Sequence, residues 1–525
     1  QSTWGPKKYF SFKMAIKGRR KLPGSQENMD KGDLICTALL PDTTVNTFLC
    51  ISLVGLLIRS AVSLHGYSGA GEPPKYGDYE AQRHWMEITL NLHPREWYTN
   101  STSNDLGYWG LDYPPLTAYQ SYIHGLILRH FLPESVALHS SRGYESYLGK
   151  LLLRWTVLSS DLLIFFPAVL WFSLARFGNR YGNKGGDVAK IMIGLLINPC
   201  LILIDHGHFQ YNCISLGFFV AAVAAILSEK DLLGSVLFCL SLNHKQMSAY
   251  FAPAFFSHLL GKCLRRKSPF SHLIKLSSVV IGTFAVIWWP YIHSRNDLSQ
   301  VFSRLAPFER GIYEDYVANF WCTTSVIVKW KRVFTVKSLR VFSLIATVIG
   351  FLPSMVHQVM DPSHNGFIFS LLNSSLSFYL FSYQVHEKSI LMPLLSAAFL
   401  ALQFPVLFFL FVHYAMLSMF PLLCRDKLVV PYFALYALFV LLYFVNWGKI
   451  RADFRSKFPP LMWVLFGVSV CVHVVYLVGK PPEKYPFILE AIIMWICFVH
   501  FGLFALYANA HQWRLPRKQT QEKQD

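Results

Sequence analysis

Apolar runs of about 20 residues recur along nearly the whole chain, with short polar stretches between them, as at 273–291 and 487–506. A helix of that length crosses the roughly 30 Å of hydrocarbon in a bilayer. Because the ten-residue alternation of a membrane barrel is absent, the pattern predicts an all-α polytopic membrane protein with about fourteen transmembrane helices. The predicted spans are 45–64, 151–175, 188–204, 211–228, 232–244, 247–261, 272–292, 338–358, 366–384, 389–403, 405–423, 429–447, 460–479 and 486–507.

This arrangement leaves two long loops, 66–150 and 293–337, on one side of the membrane. Within the first loop, 116–132 is apolar with interspersed polar residues, which predicts a helix lying in the membrane interface. Within the second loop, 317–330 is short for a span and predicts a re-entrant or surface helix. If 317–330 does not cross, His386 faces the same compartment as the first loop.

Composition supports the membrane class and adds an orientation. The chain is 53% hydrophobic and carries a net charge of +18. Its basic residues lie at the ends of apolar spans instead of on one soluble face, which excludes nucleic acid as the expected partner. By the positive-inside rule the basic loops are cytoplasmic, and the two long loops face the opposite side. Basic loop residues include Arg176, Arg180, Lys184, Lys262, Arg265, Arg266 and Lys267.

These patterns divide the chain into four parts. A basic cytoplasmic tail precedes a membrane module that holds both long loops, and C-terminal transmembrane helices and a second cytoplasmic tail follow. The respective ranges are 1–44, 45–403, 404–507 and 508–525.

The first loop concentrates carboxylates and aromatic rings in two stretches, GDYEAQRHW and YWGLDYPPLTAY. Asp78 follows a glycine and Asp112 precedes Tyr-Pro-Pro, so both stand on turn-like backbone beside aromatic rings. Sugar sites combine stacking rings with carboxylates that accept hydroxyl groups. The alternative is a solvated loop with interfacial aromatic residues. The substrate-binding candidates in this loop are Glu80, Arg83, Trp109, Asp112 and Tyr113.

Two polar stretches interrupt the apolar pattern further along the chain. LIDHGHFQYN, with His208 and Gln210, ends the third span, and Asn-His-Lys-Gln, with Lys245, is the predicted tip of a short hairpin. Polar groups at such depth mark functional sites or internal hydrogen bonding. Asp205 and His208 have the spacing of a metal-ligand pair but lack a third clustered ligand. Arg154 and Asp161, seven residues apart in the second span, are expected to pair with each other.

The second loop and the segment VHEKS carry cationic groups. Arg304, Arg310, His386 and Lys388 are candidates for binding an anionic group near the membrane surface, and snorkelling anchors are the alternative. Glu387 is a further substrate-binding candidate. The chain contains no Asp-x-Asp, GxGxxG or P-loop, so the metal-binding equipment of many nucleotide-sugar transferases is missing. No metal site is predicted, and the cysteines show no zinc-ligand spacing.

Seven stretches together resemble a known family. YSGAGEPPKYGDYEAQRHW, YWGLDYPPLTA, SRGYES, LIDHGHFQYN, KQM, RGIYEDYVANFW and FSYQVHEKSIL look like signatures of the endoplasmic-reticulum glucosyltransferases that use dolichyl-phosphate-glucose, in the GT-C superfamily. They run in order from about residue 67 to residue 391. The last third of the chain carries mainly hydrophobic pattern.

The resemblance implies a GT-C fold in the endoplasmic-reticulum membrane with a lumenal active site. It implies inverting, metal-independent transfer of glucose from dolichyl-phosphate-glucose, in α-1,3 linkage, to the terminal mannose of the unglucosylated dolichyl-diphosphate oligosaccharide. No cofactor is expected. By resemblance, Asp78 is the general base and His386 lies at the donor phosphate. We expect Arg304 and Arg310 to share in stabilising the charge of the departing phosphate.

One position departs from the family pattern: Tyr316 stands where the family usually has a lysine after Glu-Asp, which puts a cation there in doubt. Three alternatives stay open. The first is transfer of the second glucose by a sibling enzyme of similar fold and donor. A transporter or flippase for a lipid-linked anion predicts inverted repeats and midplane charges, whereas here ionisable groups gather at one face. A structural subunit would leave the convergent Asp78 and His386 unexplained.

Overall fold

The computed structural model describes residues 44–177, 185–305, 312, 316–445 and 460–516, and every regular element in these ranges is helical. The α-helices in chain order are α1 Thr44–Ser63, α2 Asp78–Asn91, α3 Pro115–Phe131, α4 Tyr147–Phe177, α5 Gly185–Leu196, α6 Pro199–Ile202, α7 Asn212–Leu227, α8 Asp231–His244, α9 Ala252–Leu264, α10 Pro269–Ile287, α11 Arg295–Leu305, α12 Phe320–Thr324, α13 Trp330–Val333, α14 Val336–Met360, α15 His364–Phe381, α16 Leu391–Ala398, α17 Pro405–Arg425, α18 Val429–Val445, α19 Pro460–Val478 and α20 Ile488–Trp513.

Seven helices in the described part of the chain are long and apolar enough to cross a membrane, and three shorter apolar helices accompany them. The prediction of an all-α polytopic membrane protein is therefore confirmed. The number fourteen is not: each predicted span falls on a helix, but several of these helices are short. The predicted tenth span, 389–403, contains only the eight residues of α16, about 12 Å of helix, which is too short to cross alone.

Both long loops contain helices. In the first loop, α2 and α3 pack against each other, and α3 coincides with the helix predicted at 116–132. Its start follows from Pro114 and Pro115, because proline is favoured in the first turn of a helix. In the second loop, 317–330 is not one helix, since the five-residue α12 ends at Thr324 and α13 begins at Trp330. Neither piece is long enough to cross a bilayer.

The predicted third span is broken. Helix α5 ends at Leu196, Asn198 caps α6 by accepting a hydrogen bond from the Cys200 amide, and a π-helical segment follows at Leu203–Phe209. Short π-helical segments often occur at functional sites. This one ends where the predicted site residues His208 and Gln210 lie.

Charged groups inside the helical body pair differently from the prediction. Asp161 accepts hydrogen bonds from Arg59 at 2.7 Å and shares one with His206 at 2.6 Å, and both Arg59 and Asp161 are fully buried. The expected pair of Arg154 with Asp161 is wrong. Regular α-helix runs from Arg154 to Ser160 and the π-helical turn begins at Asp161, whose carboxylate is taken by Arg59 of α1. Arg154 instead donates to the carbonyls of Gly66 and Gly207 at 2.9 and 2.8 Å.

The loops predicted to be cytoplasmic meet at one end of the molecule. Lys262 pairs with both Asp231 and Glu229, at 2.6 and 2.7 Å, and His364 bonds Glu229 at 2.9 Å. Arg176 donates to Asn365 at 2.7 Å. Four separate helix connections are thereby joined at the end of α8 opposite Lys245.

Candidate active site

Asp78 is the first residue of α2, at the point where the first loop turns back on itself. Gly69 has φ +74°, and a Cβ there would collide with the backbone of Gly77, so glycine is required for this close approach. The Ser68 amide donates to the carbonyl of His208 at 3.0 Å, while Arg154 holds the carbonyls of Gly66 and Gly207. These bonds fix the first loop against the π-helical segment and place Asp78 beside His208.

The Asp78 carboxylate receives three side-chain contacts, from two separate segments of the chain. Lys388 Nζ lies 2.6 Å from Oδ2, His208 Nε2 lies 2.9 Å from it and Gln210 Nε2 donates to it at 2.5 Å. Among the described residues, every side-chain hydrogen bond to this carboxylate ends on Oδ2. Since the Asp78 side chain is 23% exposed, Oδ1 is left toward open space.

The electrostatic setting keeps Asp78 ionised. Burial by itself would raise the pKa of this carboxyl, but the Lys388 ammonium and then the His208 ring hold its pKa well below the ordinary value. At neutral pH the group is therefore a carboxylate that can only accept hydrogen bonds.

The segment VHEKS reaches Asp78 through Lys388. His386, two residues earlier, is half-buried on extended backbone and precedes the 3₁₀ turn Glu387–Ile390. The sequence predicts that Lys388 binds an external anion, yet its ammonium contacts the protein's own Asp78 carboxylate and also lies 3.1 Å from His208 Nε2. Glu387 is 5% exposed and faces Arg425 at 3.9 Å. The structure thus brings the segment of His386 to Asp78, with Lys388 making the direct contact.

Gln210 and Lys245 extend the polar network away from Asp78. Lys245 Nζ donates to Gln210 Oε1 at 3.0 Å and to Asn212 Oδ1 at 2.6 Å, and Asn212 donates to Asp205 at 2.7 Å. The Lys245 ammonium also lies 4.8 Å from the centre of the Tyr113 ring. Burial lowers the pKa of Lys245, whereas nearby Asp205 opposes that change. The tip of the predicted hairpin is therefore inside the site.

Glu80 and Arg83, predicted as substrate-binding residues, are buried away from this opening. The Arg83 guanidinium bonds both oxygens of Glu80 and one oxygen of Glu87 at 2.7–2.8 Å, and it also donates to Ser135 and Ser141. All hydrogen-bond donors of Arg83 are used inside the protein. The structure therefore gives Arg83 a structural role in place of the predicted contact with substrate. The network joins α2 to the segment around Ser135 and Ser141.

The loop YWGLDYPP lies beside the site, with Asp112 and Tyr113 partly exposed. Trp109 Nε1 donates to Lys75 O at 2.5 Å, and Gln246 donates to the carbonyl of Asp112 at 3.1 Å. Arg304, at the end of α11, donates to the carbonyls of Gly110 and Leu111 at 2.7 and 3.1 Å. Arg304 therefore holds the loop that carries Asp112.

Two sequence expectations in the second loop have different outcomes. Arg310 lies outside the described residues. Tyr316, the departure from the family pattern, is half-buried with its ring 5.7 Å from that of Phe487. Tyr316 thus belongs to an aromatic contact with the C-terminal helices.

Backbone strain gathers around the same residues. Seven non-glycine residues of the described chain have φ in the left-handed region, which is costly for a side chain with a Cβ. Four of them lie within two residues of Asp78, His208, His386 or Asp426: Tyr76, Phe209, Gln384 and Lys427. At Phe209, with φ 92°, the chain bends between His208 and Gln210 so that both side chains reach Asp78 Oδ2.

Sequence reasoning missed Asp426, the residue on the far side of His208. Its Oδ2 lies 2.5 Å from His208 Nδ1. It sits in the apolar last third of the chain, where no motif marks it. No group of three or more His, Cys, Asp or Glu in the described ranges is arranged to hold a metal ion. Metal independence stays a prediction.

The described site has an ionised carboxylate with one open oxygen, two lysines and flanking aromatic rings on the side where the long loops lie. A family model described as "ALG6, ALG8 glycosyltransferase family" matches residues 52–507, which is most of the chain. The chain belongs to this family. It is therefore a glycosyltransferase, and the candidate spans make it a multi-pass membrane enzyme.

Relatives across the ALG6, ALG8 family carry a common name. A protein of Arabidopsis thaliana, named probable dolichyl pyrophosphate Man9GlcNAc2 alpha-1,3-glucosyltransferase, is 62% identical over 482 residues, covering 90% of each chain. A Drosophila melanogaster protein of the same name is 42% identical, covering 88% of this chain and 98% of its own. The Gallus gallus protein, named without "probable", is 41% identical, covering 87% and 94%. The family predicted from the seven stretches is confirmed.

Proposed function

We propose that this protein transfers glucose from dolichyl-phosphate-glucose, in α-1,3 linkage, to the terminal mannose of the dolichyl-diphosphate oligosaccharide that carries no glucose. The reaction takes place on the lumenal side of the endoplasmic-reticulum membrane. The relatives' names support this acceptor, because Man9GlcNAc2 contains only mannose and N-acetylglucosamine. Those names favour first-glucose over second-glucose transfer.

The observation that carries the proposal is the open Oδ1 of an ionised Asp78. With the side-chain donors of the described residues all on Oδ2, Oδ1 is free to accept the hydroxyl proton of the acceptor mannose. As the mannose oxygen bonds to C1 of the donor glucose, the C1–O bond to phosphate breaks and its electron pair leaves on the phosphate oxygen. A single displacement of this kind inverts the anomeric centre.

A carboxylate whose pKa is well below normal is a weak base, and the mechanism must be compatible with that. It is compatible when the transition state has oxocarbenium character, because the hydroxyl becomes strongly acidic as its oxygen bonds to C1. The Lys388 and His208 contacts then keep Asp78 unprotonated and oriented. They do not need to increase its basicity.

Cations take the place of a general acid at the other end of the reaction. The departing dolichyl phosphate needs charge stabilisation, and we assign it to His386 with Arg304 and Arg310. Lys388 is not assigned to the phosphate, because its ammonium lies against Asp78, the proposed base, and keeps that carboxyl ionised. We propose no metal and no cofactor.

The experiment is transfer by purified protein with dolichyl-phosphate-glucose and either the unglucosylated or the monoglucosylated lipid-linked acceptor. The Asp78→Asn variant should insert, with a lower melting temperature because Lys388 loses its partner, and per folded molecule it should lose transfer by at least about a hundredfold, since a missing general base costs about 10²–10⁴. The matched control is Asp231→Asn, which removes a carboxylate paired with Lys262 at the opposite end of α8.

Activity on the monoglucosylated acceptor alone would replace the proposal by second-glucose transfer. Full activity of Asp78→Asn would reject Asp78 as base. Complete inhibition by EDTA, restored by a divalent ion, would reject the cation-only account.

A further inference from the structure

The turn that follows α17 enters the candidate active site from the last third of the chain. Its amides close the end of the helix: Lys427 N–H donates to Cys424 O and Leu428 N–H to Leu423 O, the pattern of a Schellman motif. Leu428 is fully buried, and a Cβ added to Gly207 would meet its Cδ1 at 2.8 Å. The turn therefore packs directly on the backbone of the π-helical segment.

This turn places Asp426 on the far side of His208 from Asp78. His208 Nδ1 lies 2.5 Å from Asp426 Oδ2, and His208 Nε2 lies 2.9 Å from Asp78 Oδ2. Both carboxylates accept only, so a hydrogen bond from His208 to each of them requires a proton on both ring nitrogens. The imidazole is fixed between two acceptors, and its own side chain is 3% exposed.

The charges explain why a second carboxylate is needed. Lys388 Nζ is 3.1 Å from His208 Nε2 as well as 2.6 Å from Asp78. An ammonium next to a doubly protonated imidazole is repulsive unless negative charge offsets both groups. Asp78 and Asp426 together offset Lys388 and His208, so the four side chains sum to zero charge in a place largely closed to water.

We propose that Asp426 is a positioning residue for the glycosyl transfer, acting through His208 on the candidate base. It holds the imidazole protonated and oriented so that Nε2–H donates to Asp78 Oδ2, which keeps Oδ1 directed at the acceptor. The inference rests on the proposed role of Asp78. It goes beyond that role by extending the site to the C-terminal helices.

The test compares Asp426→Asn, Asp426→Glu and the control Asp231→Asn in the acceptor assay, measuring kcat and KM for each substrate and the melting temperature. The asparagine side chain can accept a hydrogen bond from His208 Nδ1–H, but it cannot offset the positive charge of the protonated imidazole. Since loss of a supporting partner typically costs about 10–100-fold, kcat of Asp426→Asn should fall by that factor. Both KM values should stay within about twofold. The melting temperature of Asp426→Asn should fall, because one carboxylate then offsets two positive charges, so kcat is given per folded molecule. The Asp426→Glu variant should recover part of kcat.

Three results overturn the inference: an unchanged kcat in Asp426→Asn, a raised KM with kcat retained, or a loss of activity that follows a lower melting temperature in both variants. Failure of the proposed base is distinguishable, because it shows as full activity of Asp78→Asn whatever Asp426→Asn does. If Asp426→Asn is recovered only in poor yield, the test rests on Asp426→Glu instead, with its kcat expressed per folded molecule. A value equal to wild type would then reject a geometric role, and a 3–30-fold loss with unchanged KM would support it.

Discussion

At the scale of single residues, the contact between Lys388 and Asp78 has a consequence for pH dependence. Burial opposes ionisation of Asp78, and Lys388 is the largest influence that favours it. The other groups facing this carboxylate are His208, with Asp426 behind it, and neutral Gln210. Removing the ammonium leaves burial less opposed, so the pKa of Asp78 rises.

We therefore predict that in Lys388→Gln the acid limb of kcat/KM moves to higher pH by about 1–3 units, the usual effect of one close opposite charge on a carboxyl. The sign follows because the ionised form is the base, and activity is lost as pH falls through the folded-state pKa. Because its pKa is depressed, the ionised Asp78 also stabilises the wild-type fold at pH values above the ordinary carboxyl pKa. The melting temperature is therefore recorded at each pH, so that loss of fold is not mistaken for loss of activity. Lys262→Gln is the control, and an unmoved limb in Lys388→Gln would contradict the prediction.

At the scale of elements, the ends of several helices position the site residues. Helix α2 starts at Asp78 with a second acidic residue, Glu80, in its first turn, where the helix dipole favours negative charge. The π-helical segment Leu203–Phe209 ends in a strained residue, and α17 ends in the turn that carries Asp426. Each site residue thus comes from the end of an element, where backbone geometry can depart from a regular helix.

One of these ends carries strain that can be removed. Lys427 occupies the left-handed position of the Schellman turn, φ 60°, where glycine is usual. Because the Lys427 side chain is exposed, Lys427→Gly should stabilise the protein by about 0.5–1 kcal/mol and raise the melting temperature, with kcat retained. Lys427→Ala keeps the Cβ and should give no gain. Equal stabilisation by both would mean that charge, and not φ, sets the effect.

At the scale of the whole molecule, polar chemistry is separated between two ends. Helix α8, 14 residues and about 21 Å long, runs from the Asp231–Lys262 cluster to Lys245 in the candidate site. The basic loops gather at the first end and the long loops at the second. This separation agrees with the orientation inferred from the positive-inside rule.

Labelling should show the two ends in different compartments. Glu72 and Lys267 are exposed residues of the first long loop and of a basic loop. In sealed microsomes, an impermeant maleimide should label Lys267→Cys directly and Glu72→Cys only after permeabilisation, relative to the parent chain with its native cysteines. Labelling of both in sealed microsomes would refute this orientation.

The sequence by itself determined the helical membrane fold and the family, and it predicts the orientation. The fold follows from apolar runs, which form helices in a membrane. The orientation follows from charged residues at the ends of these runs, which are excluded from hydrocarbon. The family follows from motifs, which are short continuous stretches of sequence. Local pattern also found Asp78, His208, Gln210 and Lys245, because polar residues in apolar surroundings are conspicuous.

Only the tertiary structure decided which of these residues touch. The Lys388–Asp78 contact joins residues 310 apart, and the Asp426–His208 contact joins residues 218 apart. Such contacts depend on how helices pack, which no local periodicity encodes. For the same reason Arg83 could not be recognised as a buried structural residue, nor Asp426 found in an apolar third without motifs. Both outcomes depend on where neighbouring elements place their donors and acceptors.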